Sequence, residues 1–295
     1  MTARRRWGRA GLVAAVVTVL VVVAGVAGWL LLFNGNEEKP VVAVDKVSGG
    51  VAVAQVAAAD LAKVARTRVF FGHQSVGMNV LDGVSAVYAA HGVQAPAVEL
   101  TRTAPGTGAG YIAHTTIGEN TKPLQKIQDF DAVIRGWMGR QVDVAVMKLC
   151  YVDIAPDTDV DALFATYRST MAALQRDFPN VTFVKPTVPL TTEPGTLSKL
   201  KGKLTGGGGF ATAANAKRER LNELIRNKYS GDHLFDLAAV ESTAPDGSRV
   251  SGSYQGNSYF ALYGGYATDE GHLNAGGSRR AATAWLVAVA QASSK

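Results

Sequence analysis

A chain of 295 residues with 47% hydrophobic and 18% charged content holds enough apolar material for one large core or two small ones. Its net charge of +6 is local: Arg4, Arg5, Arg6 and Arg9 precede any acid, and residues 34–295 carry 26 basic against 24 acidic residues. A body so nearly neutral lacks the concentrated basic face that nucleic acid requires, which excludes that partner.

Residues 11–33 form 23 consecutive uncharged, mostly apolar residues, long enough to cross a bilayer. Basic residues 1–10 lie ahead of this run and Glu37 and Glu38 behind it, so the N-terminus is expected on the cytoplasmic side. A cleaved signal peptide would have a shorter apolar core ending at a small-residue site. Here Trp29 to Phe33 extends the run past Ala24 and Ala27, favouring an uncleaved single-pass anchor over secretion after cleavage. Either way the rest of the chain is expected outside the cytoplasm, on the extracellular or cell-wall side of the plasma membrane. Cys150 is the sole cysteine, so no intrachain disulfide forms, and it reads as a buried small hydrophobe.

Residues 34–50, with Pro40, Gly49 and Gly50, read as a tether, and 51–295 as one domain. Helical spacing predicts a helix over 51–66. The β-branched and aromatic run 69–71 predicts a buried strand; Gly72 breaks it, and Val76, Val80, Leu81, Val84 and Val87 mark a helix over 76–88. A strand over 98–100 leads into a loop over 101–118, whose Gly106, Gly108 and Gly110 would let backbone approach a ligand closely. A helix over 124–137, a strand over 142–149, a helix over 160–178 and a strand over 181–184 follow. Residues 191–210 read as a glycine-rich loop carrying Lys199, Lys201 and Lys203. A helix over 211–229, a strand over 233–237, a tyrosine-rich loop over 239–268 and a helix over 275–292 complete the chain. The alternation implies an α/β fold, a parallel sheet with helices on both faces.

Ser75 falls in the turn between a strand's carboxyl end and a helix, where ligands collect in such sheets. By itself it reads more readily as a helix cap. Asp269 and His272, three residues apart before the last helix, change the balance. One loop can present both, the carboxylate fixing the imidazole tautomer while the other ring nitrogen takes a proton from a hydroxyl. A serine needs such a base to become a nucleophile.

The block Asp269-x-x-His272-Leu-Asn274-x-x-Gly277 resembles the closing block of the SGNH/GDSL hydrolases, and Phe70-Phe-Gly-His-Gln-Ser75 resembles their opening block. The resemblance extends over about 67–292. It implies a flavodoxin-like three-layer sandwich that cleaves esters through an acyl-serine. Ser75 would be the nucleophile, His272 the base and Asp269 its orienting partner. It also implies an oxyanion hole made by the Ser75 amide, a glycine such as Gly106, Gly108 or Gly110, and an asparagine. The asparagine's place falls on Val152, so Asn79, Gln74 or Lys148 would have to supply that donor. His73, Gln74, Lys148, Tyr151, Asp153 and Asn274 are expected to line the site. The opening block departs from Gly-Asp-Ser, being one residue longer and lacking the acid. An α/β-hydrolase elbow, Gly-x-Ser-x-Gly, is excluded because His73 stands at its first glycine.

The expected function is a membrane-anchored serine esterase that removes O-acyl groups, acetyl foremost, from a glycan or similar ester, with no metal or organic cofactor. An O-acyltransferase using the same residues is the alternative within this chemistry. A catalytically silent glycan-binding domain is the alternative outside it. Neither the oligomeric state nor the acyl group is legible.

Overall fold

The computed structural model describes residues 54–105, 110–195 and 210–293. The expected segments 1–10, 11–33 and 34–50, Gly106 and Gly108, and the three lysines of the long loop lie outside the described residues. Among the described residues no helix is long and apolar enough to cross a membrane.

Six strands form one parallel sheet: β1 (Arg68–His73), β2 (Ala97–Leu100), β3 (Tyr111–Thr116), β4 (Val144–Met147), β5 (Thr182–Pro186) and β6 (Leu234–Phe235). Their spatial order is β2-β3-β1-β4-β5-β6, which sets β1 between β3 and β4. Alternate side chains of β1 feed two cores. Val69 and Phe71 pack beneath α1 (Ala58–Val64), α2 (Val76–Asp82), α3 (Val84–Ala90) and the long α8 (Ala275–Ala292). Phe70 faces the other way, toward α4 (Pro123–Gly136), α5 (Val160–Asp177) and α6 (Phe210–Tyr229). Phe71 stacks on the fully buried Trp285 of α8, with centroids 5.5 Å apart. Helices thus cover both faces, as expected.

Three expectations need correction. The helix expected over 76–88 is broken into α2 and α3 at Gly83, where any Cβ would strike the α8 backbone at Ser278. The loop expected over 101–118 contains β3, a buried strand hydrogen-bonded to β1. Its sequence Tyr-Ile-Ala-His-Thr-Thr lacks the continuous apolar run of a central strand, and its polar half is buried through specific pairing. The tyrosine-rich loop expected over 239–268 holds a short helix, α7 (Leu237–Ser242), and an antiparallel hairpin of β7 (Ser251–Tyr254) and β8 (Asn257–Phe260). Its turn residues Gln255 and Gly256 both have positive φ (50° and 81°), as a two-residue turn of this twist demands.

Candidate active site

Ser75 stands just past the carboxyl end of β1, at the point where the sheet's connections run off in opposite directions, the usual ligand-binding position of such sheets. It occupies the N-cap position of α2, yet its side chain makes no cap hydrogen bond. The expected capping role is therefore not the one the hydroxyl plays. Its one side-chain hydrogen-bond partner among the described residues is the Cys150 thiol, at 3.8 Å. The half-buried Gln74 fixes the corner by donating from Nε2 to the Ile117 and Gly118 carbonyls at 3.1 and 2.8 Å, just past β3.

His73 is buried beneath this corner, and its ring leaves no room for a Cβ at Gly77. Its Nε2 lies 3.1 Å from His114 Nδ1 on β3. Burial, aided by the charge of Lys148, lowers its pKa to about 3, so it stays neutral at working pH. With Nδ1–H directed at the Gln74 carbonyl, Nε2 accepts from His114.

The second half of the site comes from the loop before α8. His272 Nδ1 lies 2.8 Å from Asp269 Oδ2, and Asp269 Oδ1 accepts the Gly271 and His272 amides at 2.9 and 2.8 Å. Those backbone donors, then the imidazole, hold the carboxyl pKa down at about 2. An ionised carboxylate only accepts, so Nδ1 carries a proton, and in the neutral tautomer of that ring Nε2 is the acceptor. Two contacts seat this loop. Asn79, one helical turn beyond Ser75, accepts the Leu273 amide through Oδ1 at 3.1 Å. Tyr151 packs edge-on to His272, centroids 5.7 Å apart, and a Cβ on Gly271 would come within 2.5 Å of its ring. Asn79 thereby ties the His272 loop to the helix that Ser75 begins. No hydrogen bond joins Ser75 to His272 directly among the described residues; such bonds commonly tighten only once substrate binds.

Several residues expected to line the site instead support it. Lys148 is fully buried and donates to the Leu149 carbonyl and the Cys150 thiol. Asp153 is buried, its carboxylate saturated by Lys126 (2.7 and 2.8 Å) and by the Cys150 and Thr121 amides. It clamps the turn that presents Tyr151. Asn274 caps α8 through the Gly277 amide and donates to the Gly265 carbonyl. Gly110 precedes β3 and approaches the Ala65 carbonyl, at the opposite end of the parallel strands from Ser75, so it is no oxyanion donor. Among the described residues Asn79 Nδ2 donates to no partner, while its oxygen is spent on Leu273. The sequence reading did not place the Cys150 thiol beside Ser75 or mark Gly271 as obligatory. The second was detectable only as a glycine inside Asp-x-x-His. Among the described residues no group of three or more His, Cys, Asp or Glu side chains converges as a metal site would.

No protein-family profile matches the chain, and no curated protein sequence does. Solved structures do resemble it. A protein of Streptococcus pneumonia described as a platelet activating factor is 16% identical, covering 76% of this chain and 85% of its own, with a TM-score of 0.46. The periplasmic domain of a lipopolysaccharide acetyltransferase from Salmonella ser. Paratyphi A is 12% identical, covering 78% and 88%, with a TM-score of 0.42. A lipolytic protein of the G-D-S-L family from Desulfitobacterium hafniense DCB-2 is 8% identical, covering 75% and 99%, with a TM-score of 0.41. The chain's structural neighbours thus include a lipolytic protein of the G-D-S-L family and an acetyltransferase domain, at low sequence identity.

Proposed function

We propose that this protein is a serine ester hydrolase of the SGNH/GDSL type that removes O-acyl groups from a glycan. One observation carries the reading. A serine hydroxyl that caps nothing stands at the carboxyl edge of the sheet, on the same helix whose Asn79 holds an aspartate-oriented imidazole. His272 Nε2 takes the Ser75 proton as Oγ attacks the acyl carbon; the imidazolium then protonates the departing sugar oxygen. Water, deprotonated by the same nitrogen, releases the acid and restores Ser75. The Ser75 amide and Asn79 Nδ2 are the donors proposed for the oxyanion. Transfer to a second hydroxyl instead of water uses the same steps and the same residues.

The glycan substrate rests on the extracytoplasmic location expected from residues 11–33, which we propose to be an uncleaved anchor. A fluorophosphonate probe tests the nucleophile. The full chain should be labelled at Ser75 and Ser75→Ala should not; labelling that persists in the variant rejects the assignment.

A further inference from the structure

Outside this site a concavity built around an unsatisfied group lies between α6 and the β7–β8 hairpin. It is a groove of about 600 Å³, within the usual range for ligand sites, continued by a smaller one of about 370 Å³. Glu219 and Glu223, one helical turn apart, line both. Glu219 is 5% exposed; Arg226 pairs with its Oε1, and its buried Oε2 has no donor. A buried carboxylate oxygen without a donor calls for one.

The two cations of the groove are already engaged on the α5 side. Lys217 Nζ donates to the Thr158 carbonyl at 3.1 Å and Arg220 pairs with Asp161 at 3.1 Å. What remains free are acceptors and hydroxyls, with Tyr254 as an aromatic wall on the hairpin. With Lys217 tied to a carbonyl, Arg220 paired with Asp161, and Glu219 and Glu223 in the same wall, the groove offers an anion no net positive charge. A ligand rich in hydroxyl donors, with flat C–H faces to lay on a ring, fits both requirements.

The position of the groove adds a direction. Arg218, the residue before Glu219, donates from Nε to the Tyr151 carbonyl at 2.9 Å, and Tyr151 packs against His272. Pro156, at the groove's edge, is five residues beyond Tyr151 on the same segment. We infer that the groove between α6 and the β7–β8 hairpin is an accessory subsite for a neutral glycan chain, with Glu219 and Glu223 accepting sugar hydroxyls and Tyr254 stacking on a ring. This deepens the esterase reading, on which its choice of glycan rests, by giving a polymer a place to lie away from the scissile ester.

Binding is measured apart from catalysis, by calorimetry of the full chain carrying Ser75→Ala with xylohexaose, cellohexaose and N-acetylchitohexaose. At least one should bind saturably, and Glu223→Gln, at an exposed position, or Tyr254→Ala, at a half-buried one, should weaken it about tenfold. In the chain with Ser75 intact, Tyr254→Ala should leave p-nitrophenyl acetate turnover unchanged. No saturable binding of any of the three into the millimolar range, or binding that Tyr254→Ala and Glu223→Gln leave untouched, overturns the subsite. Saturable, Tyr254-dependent binding in a chain that never cleaves p-nitrophenyl acetate sustains the groove and sinks the esterase reading alone.

Discussion

Asp269 is half exposed, and its oxygens are shared between two amides and an imidazole. Asp269→Asn keeps the size and an acceptor oxygen, so the fold should persist. Its amide no longer holds Nδ1–H of His272 in the required tautomer, and ester cleavage should fall by on the order of 10³–10⁴-fold. Michaelis kinetics on p-nitrophenyl acetate, with a circular-dichroism melt as the folding control, check this; unchanged turnover would separate the aspartate from the chemistry. Two other titrating residues bear on stability instead. His73 has a folded pKa near 3 against 6.5 unfolded, so the unfolded chain binds more protons between those values and stability drops as pH falls below 6.5. Glu241, fully buried, is raised by desolvation to about 8 from 4.5, so the folded chain holds the extra proton and stability drops as pH rises from 4.5 to 8. The two slopes oppose each other between 4.5 and 6.5 and leave a plateau there. Melting temperature against pH should show it, and Glu241→Gln should flatten the decline between pH 6.5 and 8 while leaving the acid side in place. A monotonic rise to pH 8 in the parent chain would contradict this.

At the scale of elements, one hydrogen bond among the described residues, from the Leu273 amide to the Asn79 side-chain carbonyl, ties the loop before α8 to α2. Losing it costs about 1 kcal/mol of stability. Its effect on turnover should be larger, because a displacement of an ångström in a reacting group costs about a hundredfold. Asn79→Ala should therefore lower kcat by an order of magnitude or more while the melting temperature drops only a few degrees. Equal, small losses in both would reduce Asn79 to ordinary packing. The strand and helix around Ser75 were legible because periodicity changes sharply there, from the run at Phe70 and Phe71 to the spacing of Val76, Val80 and Val84. β3 was not legible, because its burial depends on a partner distant in sequence: His114 is tolerated inside the sheet through His73, 41 residues away. The β7–β8 hairpin escaped notice because Gln255-Gly256 departs from the Asn-Gly and Asp-Gly pairs that announce such turns. For Lys148 and Asp153 the residue type suggested a site; only the three-dimensional pairing with Cys150 and Lys126 shows that they brace it.

For the molecule as a whole, the sheet order sets the serine strand between two neighbours and leaves the site at one rim. The alternation of strands and helices made that architecture readable, while the identity of the oxyanion donor was not, since Val152 stands at the position the family resemblance assigns to asparagine. The proposed anchor has its own test at this scale. Full-length protein should sediment with membranes and require detergent for release, and deletion of residues 1–33 should leave the domain in the soluble fraction with its esterase activity intact. Detergent-free recovery of the full-length chain in the supernatant would refute the anchor.

The tie between Leu273 and Asn79 joins points 194 residues apart. A polypeptide made amino end first therefore presents the proposed nucleophile, Ser75, long before the proposed base, His272, has been synthesised. On the proposed mechanism, the nascent chain should be chemically silent toward any acyl donor until the segment carrying His272 emerges and α8 docks. Termination ahead of α8 should also cost core packing, since that helix carries Trp285 into the stack with Phe71.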